Sequence, residues 1–458
     1  MSVSAARGGK GSGTFARGVH PHDWKELSAN SGIEVAPTPE SVTIPLVQHI
    51  GAPNEPIVKP RQQVAFGEKI ADSKAFVSAP VHSPLAGVAA APGMVSLPNA
   101  RHVPCVSIKA EGPQLEGEAL WDDVFGGDWP AGGVNGPTGE QILQAIREGG
   151  LVGMGGAGFP THVKLKPNPA KPVDTLLVNG CECEPYLTAD YRLMLEAPKP
   201  IITGALLAAK AAGAERIIVA IEDNKPDAIA AMRAAANGTG IEVVAVHTKY
   251  PMGGERQLVV AALGRVVPTG GLPLDCGVVV VNVATAAAIA RAVLRGKPLT
   301  HRVITVSGNG VNRPCNLLCA VGVSYRQLVN IAGGLTDQAV RVVAGGPMMG
   351  FAVSDLDEPV IKGTSGITVL TTAEVRRAEE TSCVRCGRCV DVCPLNLVPT
   401  KIAQAGRAGD AALAERYYAN ACMECGCCGY ACPASLPLVQ LIRLSKIALR
   451  NAANPKKP

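Results

Sequence analysis

The sequence predicts a multidomain α/β protein, with a small all-β module before the α/β domain and a cysteine-rich helical domain after it. Hydrophobic residues make up 47% of the 458 positions and aromatic residues only 3%, which favours closely packed α/β layers. From residue 174 onward, continuous Val and Ile runs alternate with helical patterns. Near the carboxyl end lie two cysteine runs of identical spacing.

The length predicts roughly three or four domains. Shifts in composition at Gly- and Pro-rich stretches suggest where they begin and end. We expect an N-terminal arm at 1–30, a β-rich module at 31–111, a linker at 112–137, an α/β domain at 138–299, a mixed segment at 300–372 and a cysteine-rich domain with a C-terminal helix at 373–458.

Charge and cysteine content narrow the class of protein. The net charge of +5 is too small to indicate nucleic-acid binding. Fifteen cysteines without a secretory leader predict a reducing compartment. The uncharged, Val- and Ala-rich run at residues 276–290 has 15 residues, whereas a membrane-spanning helix needs about 20. We therefore expect a soluble chain that meets a membrane only through partner proteins.

The β-rich module begins at Ser41, where short β runs alternate with Pro and Gly and predict tight turns. This stretch resembles the barrel-sandwich hybrid of biotinyl and lipoyl carriers, in which a lysine at a hairpin tip carries the cofactor. Lys74 lies near that place. We interpret Lys74 as a solvated charge and the module as structural, with lipoylation as the alternative.

A glycine-rich loop follows a helix that is predicted to begin at Thr138 and end at Glu148. Three glycines satisfy the pattern G-x-G-x-x-G: Gly153, Gly155 and Gly158. A dinucleotide fingerprint needs a strand before this pattern and a helix straight after it, but here a helix precedes it and Pro160 follows. We instead predict a loop whose backbone N–H groups approach a flat or anionic ligand, with Lys164 as a phosphate partner. The alternative is a flexible connector.

The alternating elements after residue 174 predict a parallel sheet covered by helices on both faces. Ligands on such sheets bind beyond the carboxyl ends of the strands. Two strand ends carry polar groups, N-G-C-E-C-E-P at 179–185 and N-V-A-T at 282–285. Residues 302–334 then read as a β run, a polar turn and a helix, with Cys315 and Cys319 as ordinary small side chains.

The two cysteine runs, residues 383–393 and 422–432, both read C-x2-C-x2-C-x3-C and are followed by proline. This spacing holds a bacterial-type [4Fe–4S] cluster. Zinc and disulfides are alternatives for one run, but two identical runs argue against both. We expect each proline to begin a helix and Cys427, which breaks the spacing, to remain free.

The fourth cysteine of each run is predicted to bind the other cluster, as in two-cluster ferredoxins. One predicted ligand set is Cys383, Cys386, Cys389 and Cys432. The other predicted set is Cys422, Cys425, Cys428 and Cys393. Between the runs, residues 398–420 read as two helices. After Pro433, a basic amphipathic helix either packs on its own domain or docks on partner subunits or anionic lipid.

Four motifs, taken together, resemble the NADH-binding flavoprotein subunit of respiratory complex I: G-x-G-G-A-G-F-P-T…K, N-x-x-E-x-E-P, G-G-E and N-x-x-T. The resemblance implies that the glycine loop and the Lys, Asn and Thr positions hold FMN, and that the glutamates shape the flavin and NADH pocket. The matching positions are Gly153, Gly155, Gly156, Gly158, Lys164, Asn179, Glu182, Glu184, Glu255, Asn282 and Thr285. The chain differs from that family at Cys181 and Cys183, where Asp and Ser are usual.

The order of the parts resembles a second family across nearly the whole chain. A β-grasp segment similar to the SLBB domain, at about 300–350, and the two-cluster unit replace the single-cluster tail of the complex I subunit. This order, with G-V-H-P-H-D-W-K-E-L and I-P-L-V-Q-H-I-G-A-P near the amino end, is similar to RnfC, the NADH-binding subunit of Rnf ion-pumping NADH:ferredoxin oxidoreductases. The cobalamin reductase of propanediol microcompartments has the same parts but carries its β module at the other end.

The RnfC resemblance implies an NADH-oxidising subunit of a membrane-bound, ion-coupled complex. NADH gives two electrons as hydride and an iron–sulfur cluster takes one, so a flavin is required between them. The implied cofactors are FMN and two [4Fe–4S] clusters. The implied partners are the other Rnf-type subunits and, indirectly, ferredoxin or flavodoxin, at the cytoplasmic face of the bacterial inner membrane. We expect no side chain to act as a general acid or base.

Two alternatives to this function remain open from the sequence. One is a soluble NADH-dependent flavin and iron–sulfur reductase of a corrinoid or similar small acceptor. The other is a ferredoxin-like electron carrier with a vestigial nucleotide fold.

Overall fold

A computed structural model describes residues 11–130, 134–375 and 379–454. In chain order these ranges form an N-terminal strap (residues 11–31), a β barrel, an α/β domain, a mixed sheet and a helical cysteine-rich domain. Within the described ranges, no helix combines the length and the apolar character needed to cross a membrane.

The β-rich module forms two small sheets around an apolar core. Its strands are β2 (Ser41–Pro45), β3 (Glu55–Pro56), β4 (Gln63–Val64), β5 (Lys69–Asp72), β6 (Val81–His82), β7 (Gly87–Ala89), β8 (Gly93–Ser96) and β9 (His102–Ala110). One sheet has the order β2-β9-β7-β4 with β8 beside β9, and the other has the order β3-β5-β6. Side chains alternate along β2 and β9, which places Val42, Ile44, Val106 and Ile108 in the core. Lys74 is exposed in the bend after β5.

Two parts of the chain lie elsewhere than the sequence predicted. The strand β1 (Ile33–Val35), expected in the β module, pairs in parallel with a strand of the later mixed sheet. The expected linker contains a helix, α1 (Gly117–Val124), whose Leu120 and Val124 are buried. The Gly- and Pro-rich flanks hide this helix because turn residues dominate the composition around it.

The α/β domain contains a four-stranded, fully parallel sheet in the order β12-β11-β10-β13. Its strands are β10 (Thr175–Asn179), β11 (Arg216–Glu222), β12 (Glu242–Val246) and β13 (Val278–Asn282). Its helices are α2 (Gly139–Glu148), α3 (Thr161–Leu165), α4 (Ala189–Glu196), α5 (Pro198–Ala212), α6 (Pro226–Ala236), α7 (Glu255–Leu263) and α8 (Val283–Arg295). The predicted alternation of buried strands and helices is confirmed. The predicted cap of α2 is also present, because Thr138 and Gln141 form a reciprocal capping box.

The helices α5 and α8 pack closely at Gly204. A Cβ on Gly204 would lie 1.7 Å from the backbone oxygen of Ala286, an atom that cannot move aside without shifting α8. We expect Gly204→Ala to destabilise the protein by about 1–3 kcal/mol, since overpacking outweighs the better helix propensity of alanine. Thermal unfolding measures the change. Gly139→Ala, whose added Cβ meets its nearest atom at 3.5 Å, is the matched control, and equal stability of the two variants would contradict the expectation.

The mixed sheet has six strands in the order β1-β15-β14-β18-β16-β17. Its own elements are β14 (His301–Ser307), β15 (Cys315–Ala320), helix α9 (Tyr325–Ile331), β16 (Ala339–Ala344), β17 (Phe351–Ala352) and β18 (Gly366–Thr371). The segment that the sequence analysis treated as a polar turn therefore includes a complete buried strand, β15. Cys315 and Cys319 on that strand are core side chains, as expected.

The cysteine-rich domain is helical. Its elements are α10 (Arg388–Asp391), α11 (Pro399–Ala408), α12 (Ala411–Arg416), α13 (Cys427–Tyr430) and α14 (Leu438–Ala453). The prediction that Pro394 and Pro433 begin helices is wrong, because the next helices begin only at Pro399 and Leu438. The chain turns after Cys393, with Asn396 at a φ of 56° in the left-handed region, which a right-handed helix does not allow.

The C-terminal helix α14 packs on its own domain. A Cβ on Gly406 of α11 would lie 2.0 Å from the backbone oxygen of Leu441, so the two backbones are in close contact. The Ser445 hydroxyl donates to the Ile402 oxygen at 2.6 Å, and Ile442 is buried. Packing on its own domain therefore accounts for Leu438 and Ile442, the buried part of this apolar stripe. Lys456 and Lys457, part of the predicted basic face, lie outside the described residues.

The strap joins the α/β domain to the cysteine-rich domain. Val19 forms an antiparallel bridge with Tyr250 of the α/β domain. One residue earlier, the Gly18 N–H donates to the oxygen of Val392, and the Arg17 guanidinium donates to the oxygen of Val390 at 2.6 Å. The part of the predicted arm that the structure describes is therefore packed against two domains. Residues 1–10 of that arm lie outside the described ranges.

Candidate functional site

The candidate site lies at the carboxyl ends of the central strands β10 and β13. These strands pair in parallel with Asn179 opposite Asn282, so both predicted asparagines stand at one edge of the sheet. The Asn282 side-chain oxygen accepts the N–H groups of Ala284 and Thr285 at 2.9 and 3.3 Å and caps α8. Its Nδ2 donates to Asp190 at 2.6 Å.

The glycine loop (residues 153–158) lies on this edge. The Met154 N–H donates to the Thr285 hydroxyl at 3.0 Å, which anchors the loop to α8. A Cβ on Gly155 would come within 2.9 Å of Asn282 Nδ2, whereas a Cβ on Gly156 would meet nothing within 4 Å. One side of the loop is therefore pressed on the strand ends, and the other side is open.

The acidic loop (residues 179–185) is held by its own polar groups. Asn179 Nδ2 donates to the Gly253 oxygen at 2.8 Å. The Glu182 carboxylate accepts the N–H groups of Asp190 and Tyr191 at the start of α4, at 2.7 and 3.1 Å. Glu182 has a φ of 49°, so this contact holds the loop in a left-handed turn.

Glu184 connects the acidic loop to the mixed sheet. Its carboxylate accepts the N–H groups of Met348 and Met349 at 3.1 and 2.9 Å and lies 3.4 Å from the Tyr250 hydroxyl. Burial raises the pKa of Glu184 to about 7, against the effect of these donors.

Two buried lysines support the acidic loop from beneath. Lys225 Nζ donates to the Cys181 oxygen at 2.7 Å, and Lys25 of the strap donates to the oxygens of Leu187 and Glu184 at 2.6 and 3.1 Å. Burial lowers the pKa of Lys25. Burial also opposes the charge of Lys225, but the nearby carboxylate of Glu222 raises its pKa overall. The sequence analysis missed both lysines, because nothing local distinguishes a buried lysine from a solvated one.

Lys164 and Glu255 form an ion pair. Lys164 lies on α3, directly after the glycine loop, and Glu255 is the first residue of α7. The residue predicted to bind phosphate is therefore neutralised here by a residue predicted to shape the pocket.

A second pair of buried cations, also missed from the sequence, braces the glycine loop from behind. Lys362 Nζ donates to the oxygens of Pro80 and Gly150, both at 2.7 Å. Arg302 donates to the oxygens of Lys362 and Met154 at 2.7 and 3.3 Å. These contacts join the β barrel, the glycine loop and the mixed sheet.

In the cysteine-rich domain, a cavity of about 390 Å³, part of it open to solvent, is lined by thiols from both runs. The cysteines that line it are Cys393, Cys422, Cys425, Cys427 and Cys428, of which all but Cys427 belong to one predicted ligand set. Burial raises the pKa of Cys428, and the thiols of Cys425, Cys422 and Cys393 add to the rise. Cys393, the fourth cysteine of the first run, thus lies beside the leading cysteines of the second run. In the other predicted ligand set, burial raises the pKa of the Cys389 thiol, and the thiol of Cys432 adds a smaller rise.

The thiol-lined cavity adjoins the acidic loop. The Tyr250 hydroxyl, near Glu184, donates to the Cys425 oxygen at 2.7 Å. A Cβ on Gly426 would lie 2.5 Å from the Met348 oxygen, which shows how closely the second cysteine run packs on the mixed sheet. Val19, Tyr250, Cys425 and Cys427 share one small buried cluster.

The residues present fit the predicted cofactors. The open side of the glycine loop, which a side chain would fill, suits the close approach of a flat ring or phosphate. Five cysteines line one cavity, and the four of them that keep the C-x2-C-x2-C-x3-C spacing supply the donor set of a [4Fe–4S] cluster. Fold and site together define an electron-transfer flavoprotein in which a parallel α/β domain adjoins a two-cluster ferredoxin-like domain.

Family models match four parts of the chain. They are the RnfC barrel sandwich hybrid domain at residues 13–113, the Nuo51 FMN-binding domain at 146–291, the SLBB domain at 303–352 and the 4Fe-4S dicluster domain at 376–433. These matches confirm the predicted fold class and the predicted FMN and [4Fe–4S] clusters. A chain of the NAD⁺-reducing [NiFe]-hydrogenase in the air-oxidised state has a similar fold, with a TM-score of 0.50 and 22% identity over 76% of this chain and 72% of that one.

Curated relatives share much more sequence. The C subunit of the proton-translocating ferredoxin:NAD⁺ oxidoreductase complex of Clostridium ljungdahlii is 44% identical, over 86% of this chain and 84% of the relative. The C subunit of the Na⁺-translocating complex of Acetobacterium woodii is 41% identical, over 86% and 87%. The C subunit of the ion-translocating oxidoreductase complex of Rhodobacter capsulatus is 42% identical, over 94% and 82%. The chain belongs to this family of C subunits, which is the predicted RnfC family.

Proposed function

We propose that the chain oxidises NADH and passes its electrons one at a time through the cysteine-rich domain to other subunits of an ion-translocating ferredoxin:NAD⁺ oxidoreductase complex. The observation that carries this is the hydrogen bond from Tyr250 to the Cys425 oxygen, because Tyr250 also lies at Glu184 and so joins the acidic loop of the candidate site to the thiol-lined cavity. Family membership favours this function over the corrinoid reductase and the vestigial electron carrier.

The flavin pocket is proposed to lie on the open side of the glycine loop. The loop backbone at Gly153, Gly155, Gly156 and Gly158 would hold FMN, together with Lys164, Asn179, Asn282 and Thr285. Glu182, Glu184 and Glu255 would shape the neighbouring NADH site. Bound FMN would supply the conversion of hydride transfer into single-electron transfer, which the clusters require.

The chain's own residues would bind and orient the cofactor and exclude water from it. Asn282 and Thr285 hold the glycine loop on the strand ends, so its backbone donors are positioned before a ligand arrives. Met348 and Met349, held by Glu184, stand between the acidic loop and the second cysteine run. Lys164 can exchange its partner Glu255 for a phosphate group, since both side chains are partly exposed.

The two thiol sets are proposed to act in a fixed order. Cys393, Cys422, Cys425 and Cys428 would hold the cluster next to the flavin, because this set adjoins Tyr250 and the mixed sheet. Cys383, Cys386, Cys389 and Cys432 would hold the farther one. The partners are the other subunits and, through them, ferredoxin or flavodoxin. The chain is placed peripherally on the cytoplasmic face of the bacterial inner membrane.

An anaerobic visible spectrum of the purified, cofactor-loaded chain tests the function. We expect NADH to bleach the absorbance of both the flavin and the clusters, because electrons that enter at the flavin reach both thiol sets. Reduction of a corrinoid by the isolated chain at a comparable rate would support the alternative. Bleaching of neither cofactor would refute NADH oxidation by this chain.

A further inference from the structure

The two cysteine runs form loops of the same shape in different surroundings. Residues 39 positions apart correspond, as Cys383 does to Cys422. Arg385 and Glu424 have φ values of 56° and 60°, and the glycines that follow the second cysteines, Gly387 and Gly426, have 79° and 82°. Because the two loops have the same backbone shape, any difference in their exposure comes from the protein around them.

The second loop is covered by the flavin side of the molecule. Met423 packs against Gly254, where an added Cβ would lie 2.5 Å from its terminal carbon. Residues 425–428 are all buried. The second loop is therefore packed against the domain that carries the candidate flavin site.

The first loop is exposed to solvent. All ten residues from 379 to 388 are exposed, including Cys383 and Cys386. Val384, the counterpart of Met423, is 64% exposed, and a Cβ on Gly387 would meet nothing within 4 Å. The same loop shape that packs into protein at one cluster site thus faces solvent at the other.

Charge at the two loops also differs. Glu424 in the second loop is bound by Arg443 and Lys446. The guanidinium groups of its counterpart Arg385 and of Arg388, three residues on, form no ion pair or hydrogen bond among the described residues. Of the exposed acids nearby, Glu380 is paired with Arg407, while Glu379 and Asp391 lie at the margins of the loop. The exposed apolar side chain of Val384 is therefore followed in the loop by two exposed guanidinium groups with no partner among the described residues.

We propose that residues 381–388, the exit loop, form the docking surface for the electron-accepting protein of the complex, and that this partner presents an acidic surface with an apolar recess for Val384. The inference rests on the proposed function, because it requires that electrons enter through the covered loop. Docking lets one electron leave the reduced cluster and reduce the redox centre of the acceptor by one electron. No bond forms or breaks in this step.

Two features of the exit loop support this partner. Contact of Val384 with a recess of the partner would repeat the contact that its counterpart Met423 makes with Gly254 inside the chain. Free arginines are favoured for recognition of carboxylates, since the guanidinium presents a planar set of donors. An acidic partner surface would also speed the encounter at low ionic strength.

The double variant Arg385→Glu/Arg388→Glu, assembled in the whole complex, tests the proposal. We expect full flavin and iron content and unchanged bleaching of flavin and clusters by NADH. Electron transfer from NADH to the rest of the complex should fall about 10-fold or more, and the rate should no longer decrease as salt is added. Val384→Asp should impair the same step while leaving both cofactor contents unchanged.

The matched control is Arg416→Glu/Arg450→Glu, which changes the charge equally at two exposed residues of the same domain. Full transfer in this control, with impaired transfer in the exit-loop variant, supports docking at the exit loop. Equal impairment in both double variants, or normal transfer in the exit-loop variant, overturns it. Failure of the proposed function would instead appear as absence of bleaching in the unaltered chain.

Discussion

Cys393→Ser should remove the cluster held by Cys422, Cys425 and Cys428, while Cys432→Ser should remove the other. The cavity explains the first result, because Cys393 lines it together with all three leading cysteines of the second run. The proximity of Cys432 to Cys389 explains the second. Each variant is expected to lose about half of its iron, since each chain would hold two clusters of equal size.

Electron paramagnetic resonance, with the two clusters resolved by potential, identifies which cluster is lost. Cys427→Ser is the control, because Cys427 is buried and lines the same cavity as the second ligand set but breaks the spacing. We expect it to retain both clusters. Loss of the cluster in the same run as the mutated fourth cysteine would refute the crossed assignment.

Gly155→Val should abolish FMN binding in a chain that still folds and still holds its clusters. A Cβ at this position would meet the Asn282 side chain at 2.9–3.1 Å, and the further methyl groups of valine would force the glycine loop off the strand ends. Displacement of the backbone donors by even 1 Å is enough to lose a preorganised site, with an expected loss of about 100-fold in affinity. Flavin content after purification and titration with free FMN measure the effect.

Gly136→Val is the matched control for this variant, because a Cβ there meets nothing within 4 Å and the position lies before α2, away from the loop. It should keep full flavin occupancy. Full occupancy in Gly155→Val as well would place the flavin pocket elsewhere in the protein. Gly155→Ala, which adds only the Cβ, should lie between the two.

Local patterns predicted the architecture because they depend on near neighbours in the chain. Buried Val and Ile runs follow from a sheet covered on both faces, so β10, β11 and β13 were identified from their own residues. Likewise, cysteine spacing encodes a cluster loop whose shape does not depend on the rest of the chain. The family and its domain order were therefore predictable.

Features that depend on distant contacts were not predictable. Lys25 and Lys362 resemble solvated lysines in sequence, yet each is buried and donates to backbone oxygens more than 150 residues away. The backbone of strand β1 forms its hydrogen bonds with strand β15, which lies nearly 300 positions later in the chain. Pairings of this kind depend on how whole domains meet, which no short window of sequence records.

Among the site residues, too, local motifs were predictable and contacts between distant residues were not. Gly155 and Asn282 come from separate motifs, and the parallel register of the sheet brings them into contact. The sequence did not indicate that Lys164 and Glu255 pair with each other, because their ion pair depends on the angle between α3 and α7. Their proposed roles toward FMN and NADH remain predictions.

The strap at residues 11–31 fixes the position of the cysteine-rich domain against the α/β domain. It bonds to Val390 and Val392 beside one cluster ligand, bridges to Tyr250, and inserts Lys25 beneath the acidic loop. We expect a domain held at these points to keep one position between donor and acceptor. The tunnelling distance from flavin to cluster is thus set once, when the chain folds, and the rate of this step should not depend on solvent viscosity.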